Sequence, residues 1–251
     1  MAGEKYQRFW EIDTVRGIAI IVMLFIHLLW DLQLLADVDL DLNEPAWNSF
    51  IIFGRYLFVL IVGISLNLSY SRWKTKGRSE KSILFSLLKR GAFIFALGIG
   101  ITIATYLFDP KYTIYFGALH MIGLSILFSY PFLRYRKVNL PVAVLIFIIG
   151  LFIDGIRIGD PSLVWLGITS EGFRSVDYFP LLPGFGFVLL GIVAGDLLYP
   201  GFRRRFTLAD LSKNRSIGFI SGCGRNTLWI YLVHQPILAG SVILLVWMGL
   251  I

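Results

Sequence analysis

Five ionisable side chains lie inside strongly apolar stretches of the chain: His27, Asp31, Arg55, His120 and His234. Hydrocarbon makes each of them expensive, so each is a candidate for function with a partner to be found. The most informative series is Asp13, Arg16, Ile20, Met23, His27 and Asp31. From Arg16 to His27 is close to three helical turns, which places both on one face about 16 Å apart along the axis, with Asp31 one turn further. Imidazole takes a proton readily near neutral pH, and a nearby carboxylate can fix its tautomer and stabilise the imidazolium. The spacing therefore suits a general base, His27, supported by Asp31. Arg16 and Arg90 sit where helices begin and can point inward to hold phosphate. The competing reading makes His27 a helix-packing hydrogen bonder and pairs Asp31 with Arg55. His120 and His234 admit the same two readings, a cavity-lining base or a packing residue. Arg203, Arg204 and Arg205 read first as a topology anchor, with anionic headgroups as the other use.

These residues must be positioned by membrane helices. Of 251 residues, 57% are hydrophobic and 16% charged, and mean hydropathy is +0.74. Soluble domains carry about 25% charged residues, so the composition predicts an all-α, polytopic transmembrane bundle. Runs long enough to cross about 30 Å of hydrocarbon lie near 15–35, 48–70, 83–107, 114–133, 138–156, 179–199 and 226–250, seven spans in all. The first run continues beyond a signal peptide's apolar core and ends without a small-residue cleavage site, so it is expected to stay attached. Nineteen of the twenty-three Lys and Arg fall on one alternating set of connections, leaving Lys111, Arg157, Arg174 and Arg55. The positive-inside rule then puts the N-terminus in the cytoplasm and the C-terminus outside, in a multi-pass protein of the plasma membrane. The same rule accounts for the net charge of +7, so no nucleic-acid partner is expected. A single Cys223 excludes an internal disulfide and a cysteine metal cluster, and no metal is expected. The connections, including 200–225 read as a cytoplasmic loop, are too short for further domains, so residues 1–251 form one membrane domain without an inverted repeat.

The order of several segments resembles a known group. Asp13-Thr14-Val15-Arg16-Gly17-Ile18-Ala19 with Met23 and His27 resembles the first helix of transmembrane acyltransferases, including the heparan-alpha-glucosaminide N-acetyltransferase family and its prokaryotic branch. Leu88-Lys89-Arg90-Gly91, Gly117-Ala118-Leu119-His120-Met121-Ile122-Gly123, Asp177-Tyr178-Phe179-Pro180-Leu181-Leu182-Pro183 and Gly224-Arg225-Asn226 through His234 follow in the order of that family. The family's outer-loop histidine before a Trp-Asn pair has no counterpart, because Trp47-Asn48 is preceded here by Asn43-Glu44-Pro45-Ala46. The Arg-to-His spacing of the wider group carries the base role to His27.

The resemblance implies an acetyl-CoA-dependent N- or O-acetyltransferase, with acetyl-CoA as co-substrate and a glycan or amino-sugar acceptor. Arg16, Arg90, Arg225 and Asn226 would hold the donor, and Asp13, Arg55, His120, Asp177, Tyr178 and His234 are candidates to line the cavity. Membrane lipid is the surrounding partner, and a homodimer is one assembly left open. Two other classes stay in view: a proton-coupled transporter, which would also place His and Asp in mid-membrane, and a non-catalytic assembly subunit.

Overall fold

The computed structural model describes residues 8–42, 44–153 and 155–251. It is helical, in the order α1 (Trp10–Leu35), α2 (Pro45–Thr75), α3 (Glu80–Phe108), α4 (Ala118–Arg134), α5 (Asn139–Ile153), α6 (Leu181–Leu198), α7 (Arg215–Arg225) and α8 (Thr227–Trp247). Short 3-10 turns join some of these, and among the described residues the one β-type pairing is an isolated bridge between Arg157 and Thr169. Among the described residues six helices are long and apolar enough to cross a membrane, and the apolar 17-residue α4 is the remaining expected segment.

Helix ends follow local chemistry. Glu11 and Asp13 occupy the first turn of α1, where the helix dipole favours acids, so the helix begins before the apolar run does. Pro45 opens α2, and Arg72 and Lys74 close it against the C-terminal end of the dipole. Ser79 caps α3 by accepting from the Ser82 amide.

The chain divides into two compact units. The first comprises Met1–Ile61 and Leu208–Ile251, and so holds α1, the start of α2, α7 and α8. Here α1 lies along α7 with backbones in direct contact. A Cβ on Gly17 would fall 2.0 Å from the Ile220 carbonyl oxygen, and one on Gly224 would fall 1.8 Å from that of Asp13. Small residues let membrane helices approach this closely, and a buried Thr14–Ser221 hydroxyl contact of 2.7 Å joins the same faces. The 200–225 segment is therefore not wholly a loop. Helix α7, capped by Asn214 Oδ1 on the amides of Ser216 and Ile217, is rich in Gly and Ser, which form helix poorly alone and gain it from packing on α1.

The second unit, Val62–Thr207, holds the rest of α2 with α3 to α6. A Cβ on Gly63 would lie 2.0 Å from the Val188 carbonyl oxygen, so α2 and α6 touch through backbone. Arg136 pairs with Asp196 and donates to Ser71 at 3.3 Å, tying the turn before α5 to α6 and α2. Outward side chains such as Phe93, Leu107, Phe108, Leu151 and Phe152 are exposed, the surface expected of helices solvated by lipid.

Candidate active site

Arg16, Arg225 and Asn226 come together where α1 meets the α7–α8 junction. The Arg16 guanidinium donates to Asp13 Oδ1 at 3.1 Å and to the Gly224 carbonyl at 3.3 Å. Asp13 is buried and also receives Arg8 Nε at 2.6 Å, so two arginines clamp one carboxylate. Arg225 follows Gly224 directly and is exposed, and Asn226 ends α7 with its side chain donating to the Gly222 carbonyl at 2.9 Å. The result is a cationic helix junction with one arginine fixed and one open. Arg90 stands exposed in α3 of the second unit, and Arg55 belongs to the first unit in α2.

Further along α1 the polar face predicted from periodicity meets α8 in two steps. In the first, the rings of His27 and His234 lie edge to face with centroids 4.8 Å apart. His27 Nδ1 sits 2.9 Å from the Met23 carbonyl oxygen, and His234 Nδ1 sits 2.5 Å from that of Tyr231. A carbonyl only accepts, so each Nδ1 carries a hydrogen, and the neutral form of each ring has its lone pair on Nε2. In the second step, Gln235 Nε2 donates to Asp31 Oδ1 at 2.7 Å. Asp31 is 4% exposed, and its carboxylate is held by Gln235 rather than bonded to His27 or to Arg55. The His27 tautomer is thus set by backbone and not by Asp31. Gln235 is the residue that sequence reasoning passed over. Its signal was present in His234-Gln235-Pro236, where Pro236 lacks the amide that would bond the Leu232 carbonyl inside α8.

His120 belongs to the second unit and is built differently. As the third residue of α4 it turns back to accept the Gly117 amide on Nδ1 at 3.2 Å, in the manner of a capping-box side chain. Its Nε2 lies 3.4 Å from Thr102 Oγ1, which in turn donates to the Ile114 carbonyl at 2.5 Å. Both ring nitrogens are engaged. Gly98 makes room for the ring, since a Cβ there would fall 3.0 Å from it. Phe95 and Phe116 pack against it at 5.4 Å, and with Ile99, Tyr115, Leu124 and Trp165 they line a cavity of about 350 Å³. Asp177, at a φ of 49°, approaches Gly117, and the Phe179 amide bonds the Phe116 carbonyl at 2.8 Å. The Tyr178 hydroxyl donates to the Val164 carbonyl at 2.6 Å. Burial pushes that phenol up to about 12, against a smaller opposing effect of Arg157. Asp177 and Tyr178 thus belong to the segment that packs beside His120 at the start of α4.

Among the described residues no group of three or more His, Cys, Asp or Glu gathers where it could hold a metal ion. What the fold and the two α1–α8 steps define is a multi-pass membrane protein with a histidine pair and a buried carboxylate between α1 and α8. The family model described as heparan-alpha-glucosaminide N-acetyltransferase, catalytic, matches residues 8–236, and the chain belongs to that family. No curated protein and no solved structure gives a match. Family and fold together make it a membrane acetyltransferase in general.

Proposed function

We propose that the protein moves an acetyl group from cytoplasmic acetyl-CoA to an amine or hydroxyl of a sugar presented at the outer face of the plasma membrane, with His27 as general base. The observation that carries this choice is the contrast between two histidines. His27 commits Nδ1 to the Met23 carbonyl and keeps Nε2 as an acceptor, whereas His120 is bonded at both nitrogens. A base needs the free lone pair.

In this reading the N-terminus is cytoplasmic, and Arg225, Asn226 and Arg16 receive the phosphates of the donor through charge-assisted bonds. The exposed Arg225 is the better placed of the two cations, because Arg16 already serves Asp13. His27 lies about 16 Å along α1 from Arg16 by the helical rise, a separation an extended pantetheine arm can bridge. The acceptor nitrogen or oxygen attacks the thioester carbonyl carbon. Its proton passes to His27 Nε2, the C–S bond breaks, and the CoA thiolate leaves to be protonated as the free thiol. Asp31 supports the imidazolium through charge. Membership in an acetyltransferase family favours this over a proton-coupled transporter.

The test is acetyl transfer by the purified full chain in lipid nanodiscs, with labelled acetyl-CoA and glucosamine or glucose as acceptors. Labelled sugar product with release of free CoA is expected. Absence of both labelled sugar product and CoA release would overturn the reading. Arg225→Ala should weaken acetyl-CoA binding by roughly tenfold or more, the value of a charged hydrogen bond, without lowering the melting temperature.

A further inference from the structure

The Asp31–Gln235 step contains acceptors that the protein itself does not use. An ionised carboxylate only accepts, so the 2.7 Å contact assigns the NH₂ group of Gln235 to Asp31 Oδ1 and leaves its carbonyl Oε1 on the other side. Gln235 Oε1 and Asp31 Oδ2 are both shielded from solvent and have no hydrogen-bond partner. Asp31 itself is 4% exposed, so water does not reach it freely. Burying an unpaired acceptor is unfavourable, and more so when it is charged, so such atoms are kept where something brings donors to them. A third acceptor, His27 Nε2, lies on the same face of α1 one turn away. A single water carries two donors, fewer than these acceptors can take.

We infer that Asp31 Oδ2 and Gln235 Oε1 form a paired acceptor subsite that grips a hydroxyl or amine of the sugar beside the group being acetylated, with Gln235 as the residue that positions Asp31. The identity of the occupant rests on the acetyl-transfer reading above. A sugar suits the pair because adjacent carbons carry several O–H and N–H donors on one face. Two donors, from one amine or from two hydroxyls, bond the pair while a neighbouring nucleophile faces His27. Gln235 contributes twice, by its own carbonyl and by fixing the carboxylate rotamer through its amide. It touches no reacting atom.

The experiment uses the full chain in nanodiscs, with glucosamine and glucose as probes, and compares wild type with Gln235→Leu and Gln235→Glu. Two quantities are read: the sugar-induced rise in melting temperature without donor, and the split between sugar KM and kcat in transfer. In the wild type both or one of the sugars should raise the melting temperature. Gln235→Leu should abolish that rise and increase sugar KM about 10- to 100-fold, with acetyl-CoA affinity unchanged. Gln235→Glu keeps the shape but sets two carboxylates side by side, so its sugar KM should become pH-dependent where that of the wild type is flat, since such a pair shares a proton. A purely structural Gln235 would lower the melting temperature while leaving sugar KM and the sugar-induced rise intact, and that result overturns the inference. Absence of a rise with either sugar in the wild type overturns it too, by showing a site for internal water only. Because the thermal readout needs no donor, it decides the subsite even if acetyl transfer itself fails.

Discussion

Replacing His27 by Ala separates chemistry from packing because the structure gives the side chain few structural duties. It makes one hydrogen bond, to the Met23 carbonyl at 2.9 Å, and that oxygen is also the ordinary helical acceptor for the His27 amide. Losing it should cost well under about 1 kcal/mol. The edge contact with His234 at 4.8 Å is worth about 0.5–1.5 kcal/mol. The variant is therefore expected to fold, with a stability loss of about 1–2 kcal/mol. Loss of a general base lowers the rate by about 10²–10⁴-fold, or about 2.7–5.4 kcal/mol of barrier, which exceeds the packing effect. Donor binding should be unchanged, since the cationic junction is about three turns away on α1. The assay is single-turnover acetyl transfer with acetyl-CoA affinity by calorimetry and a melting curve on the same preparation. External imidazole should restore part of the rate, because the half-buried site leaves room for it. Near-normal turnover per folded molecule, with lowered melting temperature, would refute the base assignment and return His27 to helix packing.

The other expectations follow from the same geometry. His120→Ala removes the acceptor of the Gly117 amide and the Thr102 contact, so the melting temperature should fall while kcat per folded molecule stays within about twofold; a loss of about 10²-fold in kcat would make His120 the base instead. Gly224→Ala sets a methyl 1.8 Å from the Asp13 carbonyl oxygen and should prevent α1 and α7 from packing, seen as loss of monodisperse protein. Gly218→Ala, with nothing within 4 Å, should be neutral or stabilising by about 0.5–1 kcal/mol. In a Cys223→Ser background, Lys76→Cys and Arg204→Cys should label only from the cytoplasm and Asp41→Cys only from outside. Labelling of positions 41 and 76 from one side would end the seven-span topology.

Much of this was legible in residue spacing, and the exceptions have physical causes. The polar face of α1 follows from the 3.6-residue period alone, which is why Arg16, His27 and Asp31 all turn out to meet α7 or α8. Local pattern cannot name the partners on the opposing helix. Asp31 was weighed against Arg55, equally apolar in its surroundings, yet its bond goes to Gln235, some 204 positions along the chain. Helix α7 was missed because its Gly and Ser content reads as loop, and those same small residues let its backbone touch α1. His120 is the opposite case, a residue whose partner is supplied locally. The Gly117-to-His120 spacing at a helix start is that of a side chain that turns back to accept the amide preceding the helix. The useful discriminator between His27 and His120 is therefore neither burial nor depth but the count of ring nitrogens already bonded. Sequence can suggest that count only where the i−4 carbonyl or the helix start supplies the partner.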